Sequence, residues 1–266
     1  MENVTITDRD DGFGAQYQHI IFGIIYAEMN KKTYIHKPIS KMAHNYENNP
    51  NFINEIEEFI NIKNHYKITN NTPDVEVINF WTLYNFITAD ENLQPSNERF
   101  NHCLDQTNAL EKIKTIFWKN KTNPYHNTTT EDTTQKNTIN IAVHVRRSNH
   151  EDGIREIGDT PDEYYLNLID NIRNEYINQT PKKKILFHIF SQNTIDKTKY
   201  NSDDIILHID KDMKSTFLSL VAADILVTSK SALSYCAGLL TNGKVYFLPL
   251  TTTLNPTKNS WILTHF

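Results

Sequence analysis

Ile139-Asn140-Ile141-Ala142-Val143-His144-Val145-Arg146-Arg147-Ser148-Asn149 is the stretch whose reading decides the fold. Its first half is apolar and β-branched and alternates as a strand does; its second half delivers a histidine, two adjacent arginines and small polar residues. A buried strand changes character in this way where its carboxyl end opens onto a ligand crevice. A strand ending in solvated surface charge reads the same from the pattern alone. An arginine fork has a chemical reason to stand at a crevice, because its planar donors match phosphate or carboxylate oxygens bidentately and its charge is never lost.

Working outward, the chain alternates strands with amphipathic helices. Downstream, Pro161 opens a helix carrying Tyr164, Leu168, Ile172 and Tyr176, with Asp162 and Glu163 near its amino end. Strands are expected at Ile185–Ser191, Ile205–Ile209, Asp224–Thr228 and Val245–Leu248, with helices around Phe217–Val221 and from Ser229-Lys230-Ser231 through Leu240. Such alternation implies a parallel sheet with right-handed crossovers. Three of the expected strand ends carry polar groups: Arg146-Arg147, Ser191-Gln192-Asn193 and Thr228-Ser229-Lys230-Ser231. Their convergence is the argument for a site.

Upstream, Val4–Ile6 runs into Asp11-Gly12-Phe13-Gly14, and Tyr17, Ile20, Ile21, Ile24 and Ile25 follow at helical spacing. Strand, glycine-bearing loop and helix form a unit whose loop amides and helix dipole suit an anion, although a plain tight turn gives the same two glycines. Thr33–His36 reads as a second strand, Asn51–Ile62 as a helix and Val75–Phe80 as a strand leading into Trp81, Tyr84 and Phe86. Those aromatics read as core, with sugar stacking as the alternative. Thr122–Thr138 has no apolar periodicity and marks the boundary, giving domains 1–130 and 131–266. The tail from Asn255 is expected to pack back on the first domain, because Trp261, Ile262, Leu263 and Phe266 need burial.

Composition narrows the partners. A formal net charge of −5 and a pI near 6.1 argue against a broad nucleic-acid footprint and make the arginine pair a local device for a small anion. Cys103 and Cys236 are too far apart to suggest a disulfide framework or a metal-ligand spacing. No apolar run is long enough to span a bilayer, and the polar start of the chain is unlike a signal peptide, so a cytoplasmic protein is expected.

Three stretches together resemble the fucosyltransferase superfamily that includes the α1,2-, α1,6- and protein O-fucosyltransferases. His144-Val145-Arg146-Arg147 resembles its HxRR motif, Asp11 through His19 its glycine-rich loop and helix start, and Ala223 through Ser234 its late motif. The resemblance implies a GT-B arrangement: two Rossmann-like domains with parallel sheets facing across a cleft, the first for the acceptor and the second for the donor. It implies inverting transfer from a nucleotide sugar to a glycan hydroxyl, with arginine in place of a metal at the diphosphate and no cofactor. Carried over, Arg147 with Arg146 in support neutralises the diphosphate leaving group, Gly12 and Gly14 allow close backbone approach, and Asp224, Ser229 and Ser231 match the late motif beside the donor; His144, Phe13, Ser191, Gln192 and Lys230 are further donor-binding candidates. The chain departs from the family after the arginines, where it reads Ser148-Asn149-His150-Glu151-Asp152 rather than Gly-Asp or Thr-Asp. A UDP-linked donor such as UDP-xylose, or a non-catalytic glycan- or nucleotide-binding module, stands as the alternative. For the base that deprotonates the acceptor, His150, Glu151 and Asp152 are the candidates, with Asp11 across the cleft as rival.

Overall fold

The computed structural model describes residues 2–45, 48–68, 74–92, 94, 96–126, 137–148, 159–177, 183–192, 195–250, 254–256 and 261–265. The chain divides into two compact units, Met1–Lys121 with Leu254–Lys258, and Thr122–Thr253 with Asn259–Phe266. Both are α/β, and every strand pair between the named strands is parallel. Among the described residues no helix is long and apolar enough to cross a membrane.

The first unit is built on a three-stranded sheet of order β2-β1-β3, from β1 (Asn3–Ile6), β2 (Thr33–Tyr34) and β3 (Val75–Ile78). Helix α1 (Phe13–Met29) links the first two strands and is buried along most of its length, which its apolar run from Ile20 to Ile25 requires. The remaining helices are α2 (Phe52–Ile60), α3 (Phe80–Thr88), α4 (Asn97–Asp105) and α5 (Ala109–Trp118). The strand expected over Val75–Phe80 stops at Ile78, because Asn79 caps α3 by accepting from the Thr82 amide at 2.9 Å. Phe80 and Trp81 therefore begin a helix. Trp81 is 63% exposed and so is not the core residue expected, whereas Tyr84 is buried.

The second unit carries a six-stranded sheet of order β6-β5-β4-β7-β8-β9. Its strands are β4 (Thr138–Val145), β5 (Lys184–Ser191), β6 (Ile205–Ile209), β7 (Ile225–Val227), β8 (Lys244–Phe247) and β9 (Trp261–Leu263), with helices α6 (Asp162–Ile177), α7 (Met213–Ala222) and α8 (Ala232–Leu240) between them. In chain order this is 3-2-1-4-5-6, the doubly wound Rossmann arrangement, with its switch point between β4 and β7. One face of β4 and β5 presents Ile139, Ile141, Val143, Val145, Phe187 and Ile189 to Tyr165, Ile169 and Ile172 of α6, making the main core. The period of two sends Asn140, His144, His188 and Phe190 to the other face.

The carboxyl tail divides. Asn255 belongs to the first unit, where its amide donates to Asn97 Oδ1 at 3.0 Å and its carbonyl accepts from Asn101 Nδ2 at 3.1 Å. Trp261–Leu263 instead adds to the second sheet beside β8, where Trp261 is half-buried but Ile262 and Leu263 stay exposed, so the expected burial is met only in part. The Trp261 ring lies 5.0 Å from that of Phe247 and 5.9 Å from that of Tyr235.

The turn into β8 sets a close backbone approach. A Cβ on Gly243 would sit 2.4 Å from the Ala223 carbonyl oxygen and 2.5 Å from that of Asp224, neither of which can move without breaking the turn. Gly243→Ala should therefore cost at least the 1–3 kcal/mol typical of overpacking, that is, about 2 kcal/mol or more. Urea unfolding of the variant checks this, and an unchanged midpoint would contradict the turn geometry.

Candidate functional site

Because the strands of the second sheet are parallel, their carboxyl ends share one edge, and the switch point lies there between the ends of β4 and β7. A side-chain bond joins the two: His144 Nδ1 lies 2.8 Å from Ser229 Oγ. His144 is 8% exposed and Ser229 2%. Burial, and then the charge of Arg146, lowers the His144 pKa to about 4, so the ring is neutral near pH 7.

The two arginines behave differently. Arg147 Nη1 donates to the Thr160 carbonyl at 2.9 Å and to the Arg146 carbonyl at 3.1 Å, and its Nη2 pairs with Asp162 Oδ1. Tyr200 Oη donates to the same Asp162 oxygen at 2.8 Å. Arg147 thus fastens the end of β4 to the start of α6. Its neighbour Arg146 makes a loose ion pair of 3.9 Å with Asp159. Asp159 Oδ1 also accepts from the Ser148 amide at 2.7 Å, pinning the loop just beyond the arginines. An extended chain sends adjacent side chains to opposite sides, so Arg146 goes with His144 and Arg147 with Val145, the core residue over which α6 packs.

Most of the other expected donor-lining side chains build the edge. Ser191 Oγ donates to the Val145 carbonyl at 2.8 Å, tying β5 to β4, while Gln192 is exposed. Ser231 caps α8 by accepting from the Leu233 amide at 3.2 Å. Lys230 lies between them, part-exposed. The Asp224 expectation is corrected: the residue precedes β7, and its Oδ2 accepts from the Asn140 amide at 2.8 Å at the amino end of β4. Six residues of strand separate Asn140 from Arg146, roughly 20 Å at the usual rise. Asp224 registers the strands from the far edge.

In the first unit the glycine-bearing loop is also internally held. Asp11 Oδ2 takes both Nε and Nη2 of Arg9, at 2.9 and 2.7 Å, and its Oδ1 accepts from the Gly12 amide at 2.8 Å. Three donors on one carboxylate suit a turn-building role more than a base. Gly12 precedes α1 in an extended conformation (φ −69°, ψ 163°), and a Cβ there would meet His44 Cδ2 at 2.9 Å. Its smallness answers to His44. Gly14 and Phe13 both lie inside the helix, buried, with the Phe13 ring 5.5 Å from that of Tyr17. Arg9, which sequence reasoning passed over, stacks its guanidinium 3.9 Å over the Phe80 ring. His150, Glu151, Asp152 and Asn193 lie outside the described residues. Among the described residues no three His, Cys, Asp or Glu side chains are grouped as around a metal ion.

No protein-family model matches the chain, and no curated protein matches it. Among solved structures it is similar to NodZ α-1,6-fucosyltransferase co-crystallised with GDP, at 13% identity over 94% of this chain and 96% of that one, with a TM-score of 0.39. It is similar also to a mutant of Arabidopsis thaliana FUT1 in complex with GDP, at 12% identity over 95% and 72%, TM-score 0.40. Fucosyltransferase NodZ from Bradyrhizobium aligns at 12% identity over 91% and 94%, TM-score 0.37. These are loose likenesses, at 12–13% identity and TM-scores of 0.37–0.40.

Two predictions follow from this geometry. Arg147→Ala leaves the part-buried Asp162 carboxylate with only the looser Lys199 ammonium at 3.8 Å and should destabilise the protein by about 3 kcal/mol in urea unfolding; a variant as stable as the parent would show that the pair is idle. The second concerns pH. His19, His144 and His188 are each held to a pKa of about 4, chiefly by burial, against 6.5 for a free imidazole. The unfolded chain takes up protons below 6.5 while the folded one does not, so stability falls as pH drops from about 6.5 towards 4. Each histidine contributes a slope of roughly 1.4 kcal/mol per pH unit in that window. Urea midpoints at pH 7.5 and 5 measure it, and His188→Gln should flatten the slope.

Proposed function

We propose that this chain is a glycosyltransferase of the GT-B kind that takes a sugar from a nucleotide-sugar donor, a GDP-fucose-like donor leading, and transfers it with inversion to a hydroxyl of a glycan acceptor. The observation that carries the reading is the switch point of a doubly wound sheet at which His144 and Arg146 leave one strand beside Ser229 and the start of α8. A helix amino end, a guanidinium and a neutral imidazole are what a diphosphate needs, and the HxRR resemblance names the same stretch.

The chemistry asks for charge stabilisation on the departing diphosphate and for a base at the acceptor hydroxyl. Arg146 supplies the first, with Arg147 holding the segment that carries it. His150, Glu151 and Asp152, which follow the arginines in the sequence, are the candidates for the base. Arginine in the cation's place makes the transfer independent of a divalent metal. The acceptor belongs to the first unit on this reading.

Purified chain is titrated with GDP and UDP, and release of nucleotide from GDP-fucose, UDP-xylose and related donors is followed with and without EDTA. One nucleotide should bind, and its sugar should be hydrolysed slowly in chelator. Failure of every nucleotide to bind, or activity lost in EDTA and restored by manganese, overturns the corresponding part of the reading. Arg146→Ala should lower turnover roughly a hundred- to thousandfold, as loss of a preorganised donor does, with Arg146→Lys recovering only part because the fork is lost.

A further inference from the structure

The family resemblance sets Ser229 beside the donor, yet its hydroxyl is buried and directed at His144. The question is which of the two carries the proton between them. The Ser229 hydroxyl has one proton and two neighbours within reach, His144 Nδ1 at 2.8 Å and Ser234 Oγ at 3.4 Å. Ser234 Oγ accepts from the Ser229 amide at 3.2 Å and faces the carbonyls of Ser229 and Ser231, each at 3.4 Å, which can only accept its proton. Were Nδ1 the donor, the Ser229 proton would be left with the 3.4 Å contact alone. With Ser229 as donor, the short contact becomes a good O–H···N bond and Nδ1 is the acceptor.

We propose that Ser229 is a positioning residue, one that donates to His144 Nδ1, fixes the neutral ring as the Nε2–H tautomer, and so makes it present a proton rather than a lone pair to an anionic ligand at the switch point. The ligand, a nucleoside diphosphate group, rests on the reading under Proposed function; the tautomer does not. Among the described residues Nε2 has no hydrogen-bond partner, and His144 lies on the Arg146 side of the strand end, so donor and cation address one place. A lone pair there would repel a phosphate oxygen, whereas an N–H adds a bond to a charged acceptor. Ser229 acts through His144 and touches no substrate.

The test uses the full chain labelled with 15N histidine, with His144 assigned by the signal lost in His144→Gln. The parent should show a bare, pyridine-type Nδ1 and a protonated Nε2. Ser229→Ala should lose that preference and bind GDP, or UDP if that is the nucleotide taken, roughly ten- to a hundredfold more weakly. Ser229→Thr, which keeps the hydroxyl, should restore both, with circular dichroism reporting the fold. A parent ring protonated on Nδ1 overturns the proposal, whatever the variants do. A folded Ser229→Ala with unchanged ring signals and affinity overturns it too. If the tautomer responds as expected but no nucleotide binds the parent, the nucleotide-sugar reading fails and the tautomer assignment stands.

Discussion

The second unit depends on one strand. Thr138–Val145 pairs along its full length with Lys184–Ser191 on one side and with Ile225–Val227 on the other, so it is central and cannot slip. Slippage by one residue would send Ile141, Val143 and Val145 away from α6 and bring Asn140 and His144 into the apolar core. Asn140 and Asp224 lock the register from the amino edge by exchanging two bonds, 2.8 Å to the carboxylate and 3.0 Å between backbones. What happens at the carboxyl edge follows from that register. His144 must face one side, and the arginines that follow must part.

Polar side chains at the edge satisfy one another before any ligand is considered. Asp162 gathers Arg147, Tyr200 and, at 3.8 Å, Lys199; Ser191 bridges two strands; Thr228 Oγ1 accepts from the Leu248 amide at 2.9 Å. A carboxylate in the first turn of α6 also meets the positive end of the helix dipole. Groups this buried are costly when unpaired, so their internal partners are a condition of folding.

Much of this was legible in the residues. Alternation of strand and helix announces a parallel α/β chain, and the polar strand ends announce the edge, because period and residue type are local properties. Partnership is not local. Arg147 and Asp162 lie fifteen positions apart, and only the placement of α6 joins them. Asp224 reads as part of a strand, although its place before Ile225 puts it at the strand's beginning, far from the arginines. The glycines near α1 look like a phosphate loop, yet among the described residues no glycine has positive φ. Arg9 hid among acids; its spacing of two from Asp11 was the available signal, and the Phe80 ring beneath it was not. The tail's apolar residues suggest burial, yet on the edge strand Ile262 and Leu263 stay exposed.

Why two arginines stand side by side has a physical answer in the strand end that carries them. A cation on a segment that is free to move loses conformational entropy whenever it engages a ligand, of order 1–2 kcal/mol for each backbone residue fixed. Arg147 fixes the chain one residue past Arg146 by gripping Thr160 and Asp162, and Asp159 fixes the next amide, at Ser148. The segment bearing Arg146 is thereby ordered before a ligand arrives, at the expense of the fold rather than of binding. On this account the second arginine earns its place by what it does for the first. Arg147 of the doublet holds the backbone, and an extended chain sends Arg146 to the opposite side, where the proposed donor would lie.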